Sequence, residues 1–127
     1  MLVFRLFIFL LFFSGCYSPV GPEILGSHIS CHRNNSYADD MWIFQVWIGH
    51  PEGLGESKDV NIYLYDAHGN RNIVSLTHSH DMLWESIVVE KDTLLECGRW
   101  YSIDIVAYDH DGYSDFKETY YQNRENI

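Results

Sequence analysis

Residues 95–108 have the sequence LECGRWYSIDIVAY, a turn followed by a strand with alternating side chains. From Tyr101 to Ala107 every second residue is apolar or aromatic, whereas Ser102 and Asp104 fall between them. Successive side chains of a strand point to opposite faces, so the first set is predicted to be buried and the second to meet water. The other strands of the domain are expected to supply partners for that buried face.

The composition indicates one folded domain that is rich in strands. The chain has 127 residues, of which 46% are hydrophobic and 16% are aromatic. This is enough for a single core and too apolar for a disordered chain, and the aromatic content favours strands. The net charge of -10 repels phosphate backbones, so we expect no nucleic-acid partner.

Residues 1–15 differ in kind from the rest of the chain. Arg5 is the only charged side chain among them, and residues 6–13 form an unbroken apolar run. This run is too short to span a bilayer as a helix. A short apolar run followed by small residues is typical of a cleaved secretory leader. We therefore assign residues 1–15 to a signal peptide.

A cysteine, Cys16, follows this leader directly. Residues 11–16, LFFSGC, resemble the lipobox of bacterial lipoproteins, although Phe13 stands where leucine is usual. The resemblance implies cleavage before Cys16, acyl chains on that residue and a membrane as partner. It also implies the bacterial cell envelope as location, and Tyr17 in place of aspartate favours the outer membrane. The alternative is an ordinary leader with a secreted or periplasmic product. Residues 16–25 are assigned to the tether.

Two further cysteines, Cys31 and Cys97, remain if Cys16 is lipidated. Thiols of an exported protein meet an oxidising compartment and tend to pair, so we expect a disulfide between them. A bridge across so long a loop would stabilise the fold by about 3–4 kcal/mol. Two buried free thiols are the alternative.

The segments between the turns alternate in the same way as residues 101–108. The predicted strands are residues 26–32, 41–49, 60–66, 73–77, 82–90, 101–108 and 114–121. Residues 50–59 and 78–81 are predicted to be loops. About seven short strands with turn signals every 8–12 residues favour an antiparallel β-sandwich over residues 26–121. Residues 122–127 are expected to be a flexible tail.

Three residues of the segment 95–108 also have a specific spacing. Leu95, Gly98 and Tyr101 resemble the tyrosine-corner segment of fibronectin type III domains, with Cys97 in place of the usual proline. The alternating strand after Tyr101 extends the resemblance. It implies an all-β, immunoglobulin-like sandwich in which Tyr101 has a structural role. Related bacterial immunoglobulin-like modules share this pattern, so the family within the fold stays open.

The implied topology places Cys31 and Cys97 at one pole and three loops at the other, which are residues 50–59, 78–81 and 109–114. Those loops carry histidines and carboxylates, which are common ligands of Zn²⁺ and similar ions. The candidate ligands are His50, His78, His80, Asp109 and Asp111. The alternative is a set of ordinary solvated loop residues, because no established zinc or EF-hand spacing occurs. We expect no cofactor.

The sequence offers no catalytic pattern. It lacks a Gly-x-Ser-x-Gly elbow, and Cys97 is expected to be paired, so we predict that the protein is not an enzyme. Some aromatic residues exceed what a small core can hold and could form a sugar-binding platform or a protein contact. These residues are Trp47, Tyr63, Tyr65, Trp84, Trp100 and Tyr108.

These patterns predict a lipid-anchored bacterial envelope protein with one immunoglobulin-like domain. Its expected work is non-catalytic: it presents an interaction surface or supports an assembly with other envelope proteins. The alternative is a secreted, non-lipidated accessory module that binds carbohydrate or a metal ion. The fate of Cys16 and the arrangement of exposed aromatics distinguish the two, because the fold alone does not fix function.

Overall fold

The computed structural model describes residues 20–32 and 40–122. Within these ranges the regular structure is seven antiparallel strands and two 3-10 turns, which confirms the predicted all-β class. The strands are β1 (Glu23–His32), β2 (Met41–Gly49), β3 (Ser57–Tyr65), β4 (Arg71–His80), β5 (Leu83–Val89), β6 (Tyr101–Asp109) and β7 (Ser114–Tyr121). The predicted signal peptide, Cys16, most of the tether and nearly all of the predicted tail lie outside the described residues.

The strands form one sheet in the order β1-β2-β5-β4-β3-β6-β7. Strand β4 connects its two halves, because residues 71–76 pair with β3 and residues 77–80 pair with β5. The two edge strands also approach one another, where the Ile24 N–H donates to Asp115 Oδ2 over 2.8 Å. The sheet is therefore nearly closed and barrel-like. The predicted sandwich would have two separate sheets, whereas here strand pairing continues from one half of the sheet to the other.

The strand bounds agree with the sequence pattern at β2 and β7 and differ elsewhere. β1 begins three residues before the predicted start, inside the segment assigned to the tether, and β3 begins at Ser57, inside the predicted loop 50–59. β4 continues to His80 through the predicted connector. Ladder hydrogen bonds come from the backbone, so polar side chains on the outer face do not end a strand. The side-chain pattern underestimates strand length for this reason.

The core lies inside the curved sheet. Alternate residues of β2, β3 and β6 point inward, as the sequence predicts, and all of them are nearly inaccessible to solvent. They are Trp42, Phe44, Val46, Ile48, Val60, Ile62, Leu64, Tyr101, Ile103, Ile105 and Ala107. The outward residues of the same strands are the ones available for contacts with other molecules.

Candidate functional site

Cys31 and Cys97 lie at one pole of the sheet, where the structure joins them in a disulfide. Their Cα atoms are 5.7 Å apart and they are separated by 66 residues in sequence. Cys31 pairs across the ladder with Trp42, which packs edge-on against Tyr121 with ring centroids 4.7 Å apart. The Tyr121 hydroxyl donates to the Cys97 carbonyl oxygen over 3.2 Å. The bridge thus lies next to the buried Trp42 ring and the partly buried Tyr121 ring, and it connects the crossover before β6 to the edge strand β1.

The turn before β6 has the contact that defines a tyrosine corner. The Tyr101 hydroxyl accepts a hydrogen bond of 2.8 Å from the backbone N–H of Glu96, five residues earlier. Leu95 is buried beneath this turn, and Gly98 lies in open space. Burial raises the pKa of the Tyr101 phenol above its ordinary value. The bond between Tyr101 and Glu96 therefore spans the turn that contains Gly98, and the side chains of Leu95 and Tyr101 are both buried next to that turn.

His50 and Asp109 form a buried pair at the opposite pole. His50 Nε2 lies 3.0 Å from Asp109 Oδ2, and each side chain is 1% exposed. His50 Nδ1 accepts the backbone N–H of Glu52, so the imidazole hydrogen that faces Asp109 is on Nε2. Asp109 Oδ1 accepts the backbone N–H groups of Asp111 and Tyr113. These bonds, the one from His50 first, hold the pKa of Asp109 below its ordinary value.

The other two predicted histidines have different partners. His78 Nε2 lies 2.6 Å from the Asp81 carbonyl oxygen, and its ring lies against Trp84 with centroids 5.4 Å apart. His80 Nδ1 lies 3.0 Å from Ser79 Oγ. His80 also lines a shallow cavity of about 220 Å³ with Trp47 and Met82. These contacts belong to the β4–β5 hairpin.

The predicted metal ligands do not form one group in the described part of the chain. Glu52, Glu56 and Asp111 have carboxylate oxygens within 4.8 Å of one another. Only Asp111 belongs to the predicted set, and exposed acidic groups such as these are common without an ion. A second group of potential ligands contains the two disulfide cysteines, whose sulfurs are not thiolates.

An extended outer surface lies on β3, β6 and β7. Five rings occupy outward positions there: Tyr63, Tyr65, Tyr108, Phe116 and Tyr120. We call this set the aromatic face. Phe116 is 54% exposed and Tyr120 is 62% exposed. Three of the five were candidates from the sequence. Phe116 and Tyr120 were missed, although the alternation of residues 114–121 was sufficient to place them on one face.

The remaining aromatic candidates lie elsewhere. Trp84 is buried against His78, and Trp47 packs on the outer side of β2 beside the β4–β5 turn. Trp100 is 47% exposed and lines a concavity of about 210 Å³ together with His68 and Arg99. Among residues 20–32 and 40–122, only the aromatic face combines several exposed rings on adjacent strands.

Two carboxylates lie in the middle of the aromatic face. Asp104 of β6 is directly opposite Glu118 of β7, and Tyr63 of β3 is directly opposite Asp104 on its other side. The neighbouring outward positions of β7 are Phe116 and Tyr120. Neither carboxylate makes a hydrogen bond or an ion pair with any other residue in the described ranges. Both therefore remain available to a ligand from outside the chain.

Comparison of the chain with protein-family models, with curated proteins and with solved structures found no match. Over residues 20–32 and 40–122, no helix is long and apolar enough to cross a membrane.

Proposed function

We propose that this protein is a non-catalytic, lipid-anchored component of the bacterial envelope, and that its immunoglobulin-like domain binds a partner through the aromatic face. The observation that carries the proposal is the set of outward-facing rings on three adjacent strands. Tyr108, Phe116 and Tyr120 are exposed, the last two by more than half, and the two rings of β3 are partly buried. Several exposed apolar side chains gathered on one face in this way are typical of an interaction site. Aromatic rings supply large, rigid contact areas in protein interfaces.

Three features support an immunoglobulin-like domain related to fibronectin type III. The strands β1, β2 and β5 are neighbours, and so are β3, β6 and β7, which is the grouping found in the two sheets of such sandwiches. Tyr101 makes the tyrosine-corner contact with Glu96. The inward faces of both strand groups enclose one core. In such a domain, β1, β2 and β5 would form one layer and β3, β6 and β7 the other. Strand β4 would connect the two layers along one edge, because it pairs with both β3 and β5.

The leader-like sequence supports the proposed anchor, and the position of β1 indicates which pole an anchor on Cys16 would hold near a membrane. The lipobox-like residues 11–16 precede β1 by only a few positions. β1 begins at Glu23, opposite Gly49 at the end of β2, so the chain enters the domain at the pole that holds His50. A lipid on Cys16 would keep this pole near the membrane. The aromatic face would then run along the side of the domain, accessible to other envelope proteins.

The buried pair supports a structural rather than a catalytic role for the titratable groups of this pole. Each side chain of His50 and Asp109 is 1% exposed, and every ring nitrogen of His50 already has a partner. A general base must reach the proton of a substrate. An imidazole that is enclosed and doubly bonded in this way cannot do so without opening the loop.

Carbohydrate binding is the second candidate function, because the same face favours it. Planar rings stack on sugars, and carboxylates such as Asp104 accept hydrogen bonds from hydroxyl groups. This matches a secreted accessory module if Cys16 carries no lipid.

The anchor is tested by the intact mass of the full chain after extraction from membranes of an expressing bacterium. We expect a chain that begins at Cys16 and carries acyl groups, found in the membrane fraction. The Cys16→Ala variant should lose the adduct and leave that fraction. An unmodified chain cut at another position would exclude the lipoprotein assignment.

The binding surface is tested by site-specific photo-crosslinking in cells. A photoreactive phenylalanine analogue replaces Phe116 or Tyr120, and in matched controls it replaces Ile87 or Leu94, which are exposed elsewhere. We expect a discrete crosslinked species from the first pair only. Equal crosslinking from all four positions, or none from Phe116 and Tyr120, would refute the proposed surface.

A further inference from the structure

We propose that the occupant of the aromatic face is a protein segment bearing lysine or arginine, with one cationic side chain held between Asp104 and Glu118. This inference rests on the proposed function, because it names the partner chemistry of the same surface. It follows from three properties of the face. Two opposed carboxylates have no partner in the described part of the chain, aromatic rings lie on both sides of them, and a guanidinium is already packed on one of those rings.

The opposed carboxylates are the first property. Asp104 and Glu118 are cross-strand neighbours, so their Cβ atoms lie about 5 Å apart on the same face. Like charges directly opposite one another destabilise a sheet. No cation among residues 20–32 and 40–122 pairs with either group, and Lys117 alternates to the other side of β7. One cation from a partner would relieve this repulsion.

The aromatic surroundings are the second property. Phe116 and Tyr120 lie two residues before and after Glu118, about 7 Å away along the strand. Tyr63 is across the ladder from Asp104. Lysine and arginine have long apolar stems that pack on apolar surface while the charged end remains with its counter-ion. The rings would contact the stem, and the two carboxylates would receive the charged end.

The third property is a contact within the chain. The Arg71 guanidinium lies over the Tyr63 ring, 5.9 Å from its centroid. Arg71 occupies an outward position of β4, at the border of the aromatic face. The same face therefore already holds one cationic side chain against an aromatic ring, within the distance at which a guanidinium is attracted to a ring face. Arg71 does not form an ion pair with Asp104, so the acidic pair is still unneutralised.

The charge of the whole chain favours the same partner. A net charge of -10 attracts cationic molecules over long range and increases their rate of encounter. A neutral sugar would stack on the rings, but it would not relieve the repulsion between Asp104 and Glu118. The carboxylate pair thus distinguishes a cationic protein segment from a carbohydrate.

The test is a binding titration with the full chain purified from membranes in nonionic detergent. The probes are a fluorescent peptide of alternating arginine and glycine, its lysine counterpart, and a counterpart in which glutamine replaces arginine. We expect binding of both cationic peptides, weaker binding as salt is raised, and no binding of the glutamine peptide. The double variant Asp104→Asn, Glu118→Gln should weaken binding at least about tenfold.

A matched variant separates a local site from the effect of overall charge. Asp81→Asn combined with Asp92→Asn also removes two negative charges, but from exposed positions outside the face. We expect it to bind within about twofold of the parent protein, since surface charges far from the contact act mainly through screened, long-range attraction. Phe116→Ala should weaken binding, whereas Ile87→Ala on the outer face of β5 should not.

Each outcome has a distinct meaning for the two proposals. If both double variants weaken binding equally, the cationic peptides bind through net charge and this inference is wrong. If Phe116 and Tyr120 crosslink to a partner in cells but Asp104→Asn, Glu118→Gln leaves that crosslink intact, the interaction surface stands and its partner is not cationic. Such a result with a polysaccharide adduct would assign the face to carbohydrate.

Discussion

His50 Nε2 lies 3.0 Å from Asp109 Oδ2, and this bond connects the loop after β2 to the turn after β6. The two residues are 59 positions apart in sequence. Around them, the His110 N–H donates to the Glu56 carbonyl oxygen, and Gly112 takes a positive φ of 90° to close the turn. One buried pair thus holds the loop after β2 against the turn after β6.

His50→Ala is expected to lower the free energy of unfolding by about 1–3 kcal/mol, because Asp109 and the Glu52 N–H each lose a hydrogen-bonding partner. Urea denaturation of the variant and the parent measures the difference. His110→Ala, at an exposed position of the same pole, should change stability by less than about 0.5 kcal/mol. Equal effects of the two substitutions would contradict the structural role of His50.

The stability of the domain should fall as the pH is lowered through the acidic range. Hydrogen bonds hold the pKa of Asp109 and of Asp66 below their ordinary values, through His50 for the first and Asn70 for the second. At low pH the unfolded chain therefore binds more protons than the folded one. The stabilisation is fully present above the unfolded pKa of about 4 and is lost as the pH falls through the folded values.

Denaturation at a series of pH values measures whether the free energy of unfolding falls as the pH is lowered. Asp109→Asn should have a shallower loss of stability below pH of about 4 than the parent, because it no longer has that titration. Asp92→Asn, at an exposed position, should keep the slope of the parent protein. A parent protein whose stability rises on acidification would show that these carboxyl groups have no net role.

Side-chain alternation was sufficient to predict the strands that have one buried face. Burial alternates strictly along residues 41–49 and 101–107, and their inward residues form a large part of the core. In β2 the outward positions include apolar Ile43 and Trp47, so its alternation is clearer in the structure than in the sequence. The same method could not predict that β4 continues to His80, because residues 77–80 are polar and exposed and are held only by backbone pairing with β5. The closure of the sheet depends on such pairing, so it was not visible in the sequence pattern.

The candidate site was predictable only where residues are local in sequence. Asp109 and Asp111 were predicted to lie in one loop. The sequence could not show that His50 is the partner of Asp109, or that His78 is bound within its own hairpin. The position of Asp104 directly opposite Glu118 likewise depends on the register of β6 and β7. A shift of one residue in that register would move Glu118 to the other face.

Removal of the disulfide should lower the free energy of unfolding by about 4 kcal/mol, because the bridge restricts an unfolded loop that spans 66 residues. Cys31→Ala with Cys97→Ala, or reduction of the parent protein, provides the comparison in urea denaturation. Reduction should also raise the intact mass by about 2 Da. Cys16→Ala should leave both measurements of the domain unchanged. A parent protein without a mass change would show that the thiols are free.

Tyr101→Phe is expected to lower the free energy of unfolding by about 0.5–1.5 kcal/mol while the fold is retained. The substitution keeps the buried ring and removes the hydroxyl that accepts the Glu96 N–H over 2.8 Å. Tyr120→Phe removes a hydroxyl from an exposed position of the aromatic face and should be neutral within about 0.5 kcal/mol. Urea denaturation of the three proteins measures both differences. If Tyr101→Phe were as stable as the parent, the corner would owe its stability to the ring alone, and the hydrogen bond to Glu96 would contribute nothing.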